Sequence, residues 1–320
     1  MEAFSHACYH VTGAGCLRIS GADRVDFIQR QSTNDLARLS AERHLATVLT
    51  NPAARIIDVL QIFNENDEAL GAVTLPGRGP ATALFLKKRV FFNDKVVIED
   101  LGGSHRIIDL LGARAGGPTP APLPETAPGE VRTTSLDGET IKVLGMTGPG
   151  GPVLRLVAPA ASLPALTGLL ERAGFPALSP EQYERLRIEA GLPGAAGELT
   201  EEYTPLELGL RDLVSDTKGC YTGQEVIARQ ITYDKVTRGL AGLRLDGPVR
   251  TGARVLAADA NVGTLTSYTH SPQAGHIALA VLKRPHTEPG TAVKIADGEG
   301  QVDGEVVGLP FVESWRNSRS

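Results

Sequence analysis

Cysteine is scarce. The chain has 3 among its 320 residues, Cys8, Cys16 and Cys220. So few thiols, odd in number and far apart, exclude a disulfide framework and suit a reducing compartment. No pair has Cys-x-x-Cys spacing and no histidine stands beside one in a ligand pattern, so no metal or iron–sulfur site of the chain's own is expected. Positive charge is not in excess either: 32 Lys and Arg against 37 Asp and Glu leave a net charge of −5. General nucleic-acid binding through a global positive field is thereby excluded. No apolar run approaches a membrane span, and "MEAFSHACYHVTGAG" lacks the basic start and long apolar stretch of a secretion signal. A cytoplasmic location without membrane association is the expectation, and a monomer the expected state. Neither a Gly-x-Gly-x-x-Gly after a strand nor a Gly-Lys-Ser/Thr loop is present, which leaves nucleotide binding by the standard phosphate loops unsupported.

What the chain does have is enough apolar residue, 42%, to build cores, and too much length for one core of ordinary size. "CLRIS" predicts a strand, residues 21–23 a turn, and the next stretch a helix with Val25, Ile28, Leu36 and Leu39 on its apolar side, broken by Ser32-Thr33-Asn34-Asp35. "ATVLT" and "RIIDVLQIFN" predict two strands joined through "NPAA", followed by a strand in "ALGAVTL", a helix from "GPATALFLKK" and a strand in "KVVIED". Residues 112–130 are rich in Gly and Pro and predict a surface loop. Strands in "TIKVLGM" and "PVLRLVAP" and a helix in "ASLPALTGLLERAG" come next. "SPEQYERLRIEAG" is the best-defined helix, with a Ser179/Gln182 capping box, Pro180 in the first turn and Gly191 as its stop. From residue 238 six short β segments recur at regular spacing, as in a small barrel or sandwich. The fold class is therefore α+β with mostly antiparallel sheets, divided into residues 1–237 and a β-rich domain at 238–320.

One segment concentrates unusual chemistry: "DTKGCYTGQEVIARQ", residues 216–230. Thr222 and Glu225 have capping-box spacing, so a helix is expected to begin just after Cys220. The thiol would then sit near the positive end of a helix dipole with Lys218 two residues away, and both favour thiolate. Gly219 and Gly223 would allow a tight turn. The alternative is a buried cysteine that packs as a small hydrophobe.

"KGCYTGQEVIAR" closely resembles the signature segment of the YgfZ proteins and of the related mitochondrial iron–sulfur assembly factors. These are folate-binding relatives of the glycine-cleavage T-protein, an aminomethyltransferase (the GcvT-like superfamily). The likeness extends through "ISGADRVDFIQRQSTNDL", "NPAARIIDVLQIF", "LKKRVFFNDKVVIED" and "RIEAGLPGAAGELTEEYTPLELGL", nearly the whole chain. It implies a ring of two interleaved α+β lobes over 1–237 with a C-terminal β-barrel. It also implies a tetrahydrofolate or folate derivative, with or without a polyglutamate tail, in a central opening. The implied role is accessory: assembly or repair of iron–sulfur clusters in client enzymes, with Cys220 as a functional thiol, Lys218 beside it, and no bound metal. The implied partners are folate and the iron–sulfur client enzymes or assembly machinery.

The same resemblance places a catalytic carboxylate at the second acid of a Gly-x-Ile-x-Asp-Asp pattern. Here "ARIIDVL" puts Asp58 at the first acid and Val59 at the second. Valine cannot move a proton, so ordinary aminomethyl transfer is expected to be lost. The alternative is a folate-dependent one-carbon (aminomethyl-type) transferase that uses an altered carboxylate, Asp58. Asp58 is open to either a structural hydrogen bond or ligand contact. Glu189 matches a glutamate that accepts two parallel hydrogen bonds from a pterin edge, or else it pairs with a nearby arginine. Tyr183 stands where relatives carry a tryptophan and could stack on an aromatic ligand; Ala14 stands at about the place of a second such tryptophan. Arg187 shares a helical face with Tyr183. Tyr221, Gln224 and Glu225 complete the candidate cofactor-binding set. Lys87, Lys88 and Arg89 read either as contacts for a polyglutamate tail or as a solvated helix face. The sulfur of Cys220 is expected to be ionisable, solvent-reachable and turned towards the folate cavity.

Overall fold

The structure, a computed structural model, describes residues 7–112, 119–298 and 300–312. The chain opens with β1 (Cys8–Thr12) and β2 (Ala14–Ser20), then α1 (Arg24–Gln31), β3 (Leu45–Thr50), β4 (Ile56–Asn66), β5 (Ala69–Pro76), α2 (Gly79–Lys87) and β6 (Val97–Asp100). It continues with β7 (His105–Leu111), β8 (Val131–Leu136), β9 (Glu139–Gly148), β10 (Gly151–Pro159), α3 (Leu163–Arg172), α4 (Pro180–Glu189) and α5 (Gln224–Thr232). The last six strands are β11 (Arg238–Leu245), β12 (Arg254–Ala257), β13 (Ala260–Ser271), β14 (Gly275–Lys283), β15 (Ala292–Asp297) and β16 (Gly300–Val307). They close into a barrel in the order β11-β14-β13-β12-β15-β16. The fold is thus two α+β lobes followed by a C-terminal barrel.

Each lobe carries one five-stranded sheet, β3-β4-β5-β2-β6 in the first and β1-β7-β10-β9-β8 in the second. Because β1 and β2 belong to different sheets, the chain crosses from one lobe to the other within its first 20 residues. Residues 113–118 of the expected Gly/Pro-rich loop lie outside the described residues, and 119–130 carry neither helix nor strand. Sequence reasoning did not pick out β1, β7 or β8. Val25, expected on the buried side of α1, is 38% exposed; Ile28 is buried as expected, and Phe27 is buried beside it.

Both faces of the first sheet are covered, as alternation along β4 requires. Ile56, Leu60 and Ile62 are fully buried, the last two in a core under α1 and α2. From Val59 on, the odd-numbered residues face the other way, into a seam between the two sheets. In the middle of that seam Cys16, Phe63 and Val73 of the first sheet meet Ile107, Leu144 and Val157 of the second in one apolar layer. On each strand, stepping by two from that layer leads out towards a cavity, one at either end.

Candidate functional site

The first cavity has a volume of about 460 Å³, within the range that takes a drug-sized ligand. Its walls come from β1 and β2 (His10, Ala14), β4 (Val59, Gln61), β7 and β10 (Asp109, Arg155), α4 (Tyr183, Arg187) and the loop at Pro193–Ala196. Asp109 and Arg155 are register partners on adjacent strands. They form two parallel hydrogen bonds of 2.7 Å each, the fork geometry that makes arginine–carboxylate pairs strong. The Tyr183 hydroxyl adds a long contact of 3.4 Å to the same carboxylate. Burial, and then the negative charge of Asp109, push the Tyr183 phenol well above its ordinary pKa. The ring is held by stacking on His10, with centroids 4.4 Å apart.

Arg187 is a buried cation with every side of its guanidinium engaged. It donates to Glu184 (2.9 Å), to the carbonyl of Leu192 (2.6 Å), to the Ser267 hydroxyl of the barrel (2.8 Å) and to the fully buried Glu198 (3.4 Å). Glu198 in turn accepts from Gly194 N at 2.7 Å and from Ser267 at 2.6 Å. This network pins the 193–199 loop against α4. A side chain at Gly194 would strike the guanidinium, since its Cβ would lie 2.6 Å from Arg187 Cζ. Gln61 also borders the cavity; its Oε1 is buried, and the His44 ring is the donor beside it.

Of the residues expected from sequence, Val59, Tyr183, Arg187 and Ala14 stand on this wall. Glu189 does not. At about 100° per residue, six positions carry it round from Tyr183 to another side of α4, where it is buried 4.0 Å from Arg185. Asp58 also points away, because neighbouring strand residues face opposite sides. It is fully buried behind β4 and accepts hydrogen bonds from the Thr82 hydroxyl, Leu75 N (3.0 Å) and Val59 N (2.8 Å). Burial pushes its pKa up to about 6, against the lowering effect of those bonds. Its role in the structure is the hydrogen-bonded one. Lys87 and Lys88 are exposed at the end of α2, and Arg89 packs over the Phe85 ring; none borders the cavity.

The thiol segment forms a separate site. Cys220 is exposed, whereas Cys8 and Cys16 are buried and burial pushes their thiols up to about 11 and about 12. Cys220 is therefore the accessible thiol of the chain, as expected, but it is absent from the cavity wall. Lys218 does not face it. Its ammonium is buried and donates to the carbonyls of Gln29 (2.6 Å), Ser32 (2.7 Å) and Asn34 (2.8 Å), closing the C-terminal end of α1. Burial pushes its amine down to about 8, while three carbonyls at a negative helix end hold the proton in place.

The Thr222/Glu225 capping box does not form. Thr222 is clamped by its backbone, N to Arg30 O at 3.2 Å and O to the Thr50 hydroxyl at 2.6 Å. The chain then turns through Gly223 at φ 87°, which serves as the N-cap of α5, and Glu225 pairs with Arg229 instead. Only glycine fits there, since a Cβ would lie 2.8 Å from Thr50 Oγ1 and 2.9 Å from Asn51 O. Gly219 needs no such freedom, with open space around it. Tyr221 is buried against Ala54, Val214 and Ile227, and Gln224 opens α5. The segment thus docks on the β3–β4 turn. Val59 lies three residues into β4, roughly 10 Å along the strand from the turn at about 3.3 Å per residue.

Sequence reasoning missed His10, Gln61, Asp109, Arg155 and Glu198. A signal existed for two of them: Asp109 stands inside the apolar run of "IIDLL" and Arg155 inside that of "PVLRLVAP", charges of opposite sign.

Residues 238–313 match the family described as the glycine cleavage T-protein C-terminal barrel domain. Over 304 residues the chain is 31% identical to the chloroplastic protein At1g60990 of Arabidopsis thaliana, a transferase by name, covering 93% of this chain and 69% of the relative. It is 29% identical over 320 residues to the aminomethyltransferase of Saccharopolyspora erythraea, with 95% and 86% covered. With the mitochondrial aminomethyltransferase of Gallus gallus the identity is 27% over 317 residues, 92% and 79% covered. The crystal structure of the glycine cleavage system aminomethyltransferase T from Bartonella henselae superposes with a TM-score of 0.83 over 97% of this chain and 87% of that one. At 22% identity, that likeness speaks to the fold.

Proposed function

The chain belongs to the glycine-cleavage T-protein (GcvT-like) family, and we propose that within it this protein binds tetrahydrofolate as an accessory factor for iron–sulfur cluster assembly or repair. The observation that carries this reading is at β4. Val59 occupies the cavity wall at the position where the family resemblance puts an acid, and the neighbouring carboxylate, Asp58, is turned into the core. An apolar side chain there can support one face of a flat ligand but cannot take or give a proton.

The remaining wall suits a pterin. Tyr183 offers an aromatic face fixed by His10, and Gln61 a polar edge beside it. The Asp109–Arg155 pair and the Arg187 network are internally satisfied, so they shape the cavity without leaving a bare charge in it. Bound folate would bring its one-carbon chemistry; what the chain itself does is exclude water and orient the ring, with Val59 rather than an acid at the β4 position.

Cys220 would act on the outer surface, where a client protein can reach it, rather than on the folate. The transferase alternative loses its proposed carboxylate with Asp58. Three measurements test the reading. Calorimetric titration with tetrahydrofolate is expected to show one site. Single-turnover incubation with tetrahydrofolate and an aminomethyl donor is expected to yield no product, and product formation would return the transferase reading. A Cys220→Ser chain is expected to bind folate normally yet fail to sustain cluster-dependent enzyme activity in cells lacking the wild-type protein; full complementation would refute the role of the thiol.

A further inference from the structure

The large apolar side chains left exposed are unevenly distributed. Leu84, Phe91 and Phe92 stand close together in the chain at the end of α2, with Phe91 62% exposed and Phe92 fully so. Single exposed apolar residues are ordinary, whereas neighbouring ones that project together mark a contact surface. Leu84, Lys87 and Lys88 share the outer side of α2 at helical spacing, because Ala83 and Leu86 take the inner side. This surface lies on the α1 and α2 side of the first sheet, away from the seam.

The tip is held rigidly. Asp94 closes the turn: its N donates to Phe91 O at 3.0 Å, and its carboxylate accepts from Phe91 N at 3.0 Å. Arg30 of α1 donates to the other oxygen of that carboxylate at 2.8 Å. One residue on, Lys95 N donates to the Asp23 carboxylate at 2.8 Å, and Lys95 O accepts from Asp23 N. The turn is thus fastened to α1 while its two rings stand in water, and little freedom remains to be lost when they are covered.

Charge surrounds the rings. Lys87, Lys88 and Lys95 are exposed beside them in the chain. The nearby acids are already engaged, Asp94 and Asp26 with Arg30 and Asp23 with the Lys95 backbone. Arg24 reaches the β4–β5 turn, donating to Asp67 O, and adds a cation beside Asp67 and Glu68. Glu99, the next acid along the chain, is four residues past Lys95, about 13 Å of extended strand. Lys87 and Lys88 also suit the negative end of α2, whereas Lys95 lies beyond the helix and gains nothing from its dipole.

The lysines decide what kind of partner fits. Lysine is depleted in protein–protein interfaces. Exposed phenylalanine and leucine with lysine beside them is instead the composition of a segment that lies in a membrane interface, where each cation gains from anionic headgroups. We propose that the Phe91–Phe92 tip inserts into the surface of an anionic bilayer, with Leu84 beside it and Lys87, Lys88 and Lys95 at the level of the headgroups. Contact of this kind is shallow and reversible and needs no spanning segment, so the lack of a long apolar run does not exclude it. It does not depend on folate in the first cavity.

The test is co-sedimentation of the full chain with vesicles of phosphatidylcholine alone and of phosphatidylcholine mixed with phosphatidylglycerol. Binding to the mixed vesicles is expected, weaker on phosphatidylcholine alone and weakened by added salt. Phe92→Ser is expected to lower partitioning about tenfold, through loss of a buried ring, with urea unfolding unchanged because the position is fully exposed. Lys87→Gln and Lys88→Gln are expected to cost about fivefold each, and Lys87→Arg with Lys88→Arg to keep most of the binding. A tryptophan introduced by Phe92→Trp is expected to shift its emission to the blue when mixed vesicles are added. Lack of co-sedimentation with mixed vesicles, equal binding to both lipids, unchanged partitioning in Phe92→Ser or in the Lys→Gln variants, or no emission shift would each overturn the proposal. So would self-association of the wild-type chain that Phe92→Ser abolishes, which would assign the tip to a second copy.

Discussion

Asp58→Asn isolates a buried charge. The carboxylate is fully buried, and its pKa is pushed up to about 6 from 3.8, with burial as the main cause. Between roughly pH 4 and pH 6 the folded chain therefore binds more protons at this position than the unfolded chain does. Stability contributed by Asp58 is present at low pH and falls as pH rises through that window. A displacement of about 2 pKa units, at about 1.4 kcal/mol each, gives roughly 3 kcal/mol over the whole window. Asparagine keeps an oxygen to accept from Val59 N and Leu75 N, and its amide can donate to the Thr82 hydroxyl, but it does not titrate. The stability of the variant relative to wild type is then expected to climb by roughly 2–2.5 kcal/mol from pH 4 to pH 7, most of that window. Urea unfolding of both chains at half-unit pH steps measures the difference, in which the other titrating groups cancel. Parallel stability curves would refute the argument, and a difference that shrank with rising pH would reverse its sign.

Four other perturbations have definite expectations. Lys218→Met leaves three carbonyls at the end of α1 without their donor; a loss of about 2–4 kcal/mol in urea unfolding is expected, with faster amide exchange around Cys220. Gly223→Val combines a left-handed backbone with two contacts under 3 Å, for a loss of about 3 kcal/mol or more in the same assay. Arg187→Met strands the buried Glu198, and thermal unfolding is expected to show a loss of about 3–5 kcal/mol. Tyr183→Ala is expected to weaken tetrahydrofolate binding about tenfold or more by calorimetry, through loss of an aromatic wall.

The parts of the fold legible in sequence were those whose signals are local. The Ser179/Gln182 box and the Gly191 stop bounded α4 correctly, and the six β segments after residue 238 are the six barrel strands. The Thr222/Glu225 box had the same local form and failed, because tertiary bonds to Arg30 and Thr50 decided the backbone there. Glu189 was misplaced for a geometric reason: a motif gives residue order, whereas helix phase decides which residues share a wall. The Asp109–Arg155 pair lies 46 positions apart, and only strand register joins its halves. The separation of Cys220 from the cavity was equally invisible, since it depends on where the β3–β4 turn sits relative to the seam.

The apolar layer across the middle of the seam makes each cavity a cul-de-sac. Neither chamber can hand its contents through to the other, and a molecule lodged at one end leaves the opposite doorway unobstructed.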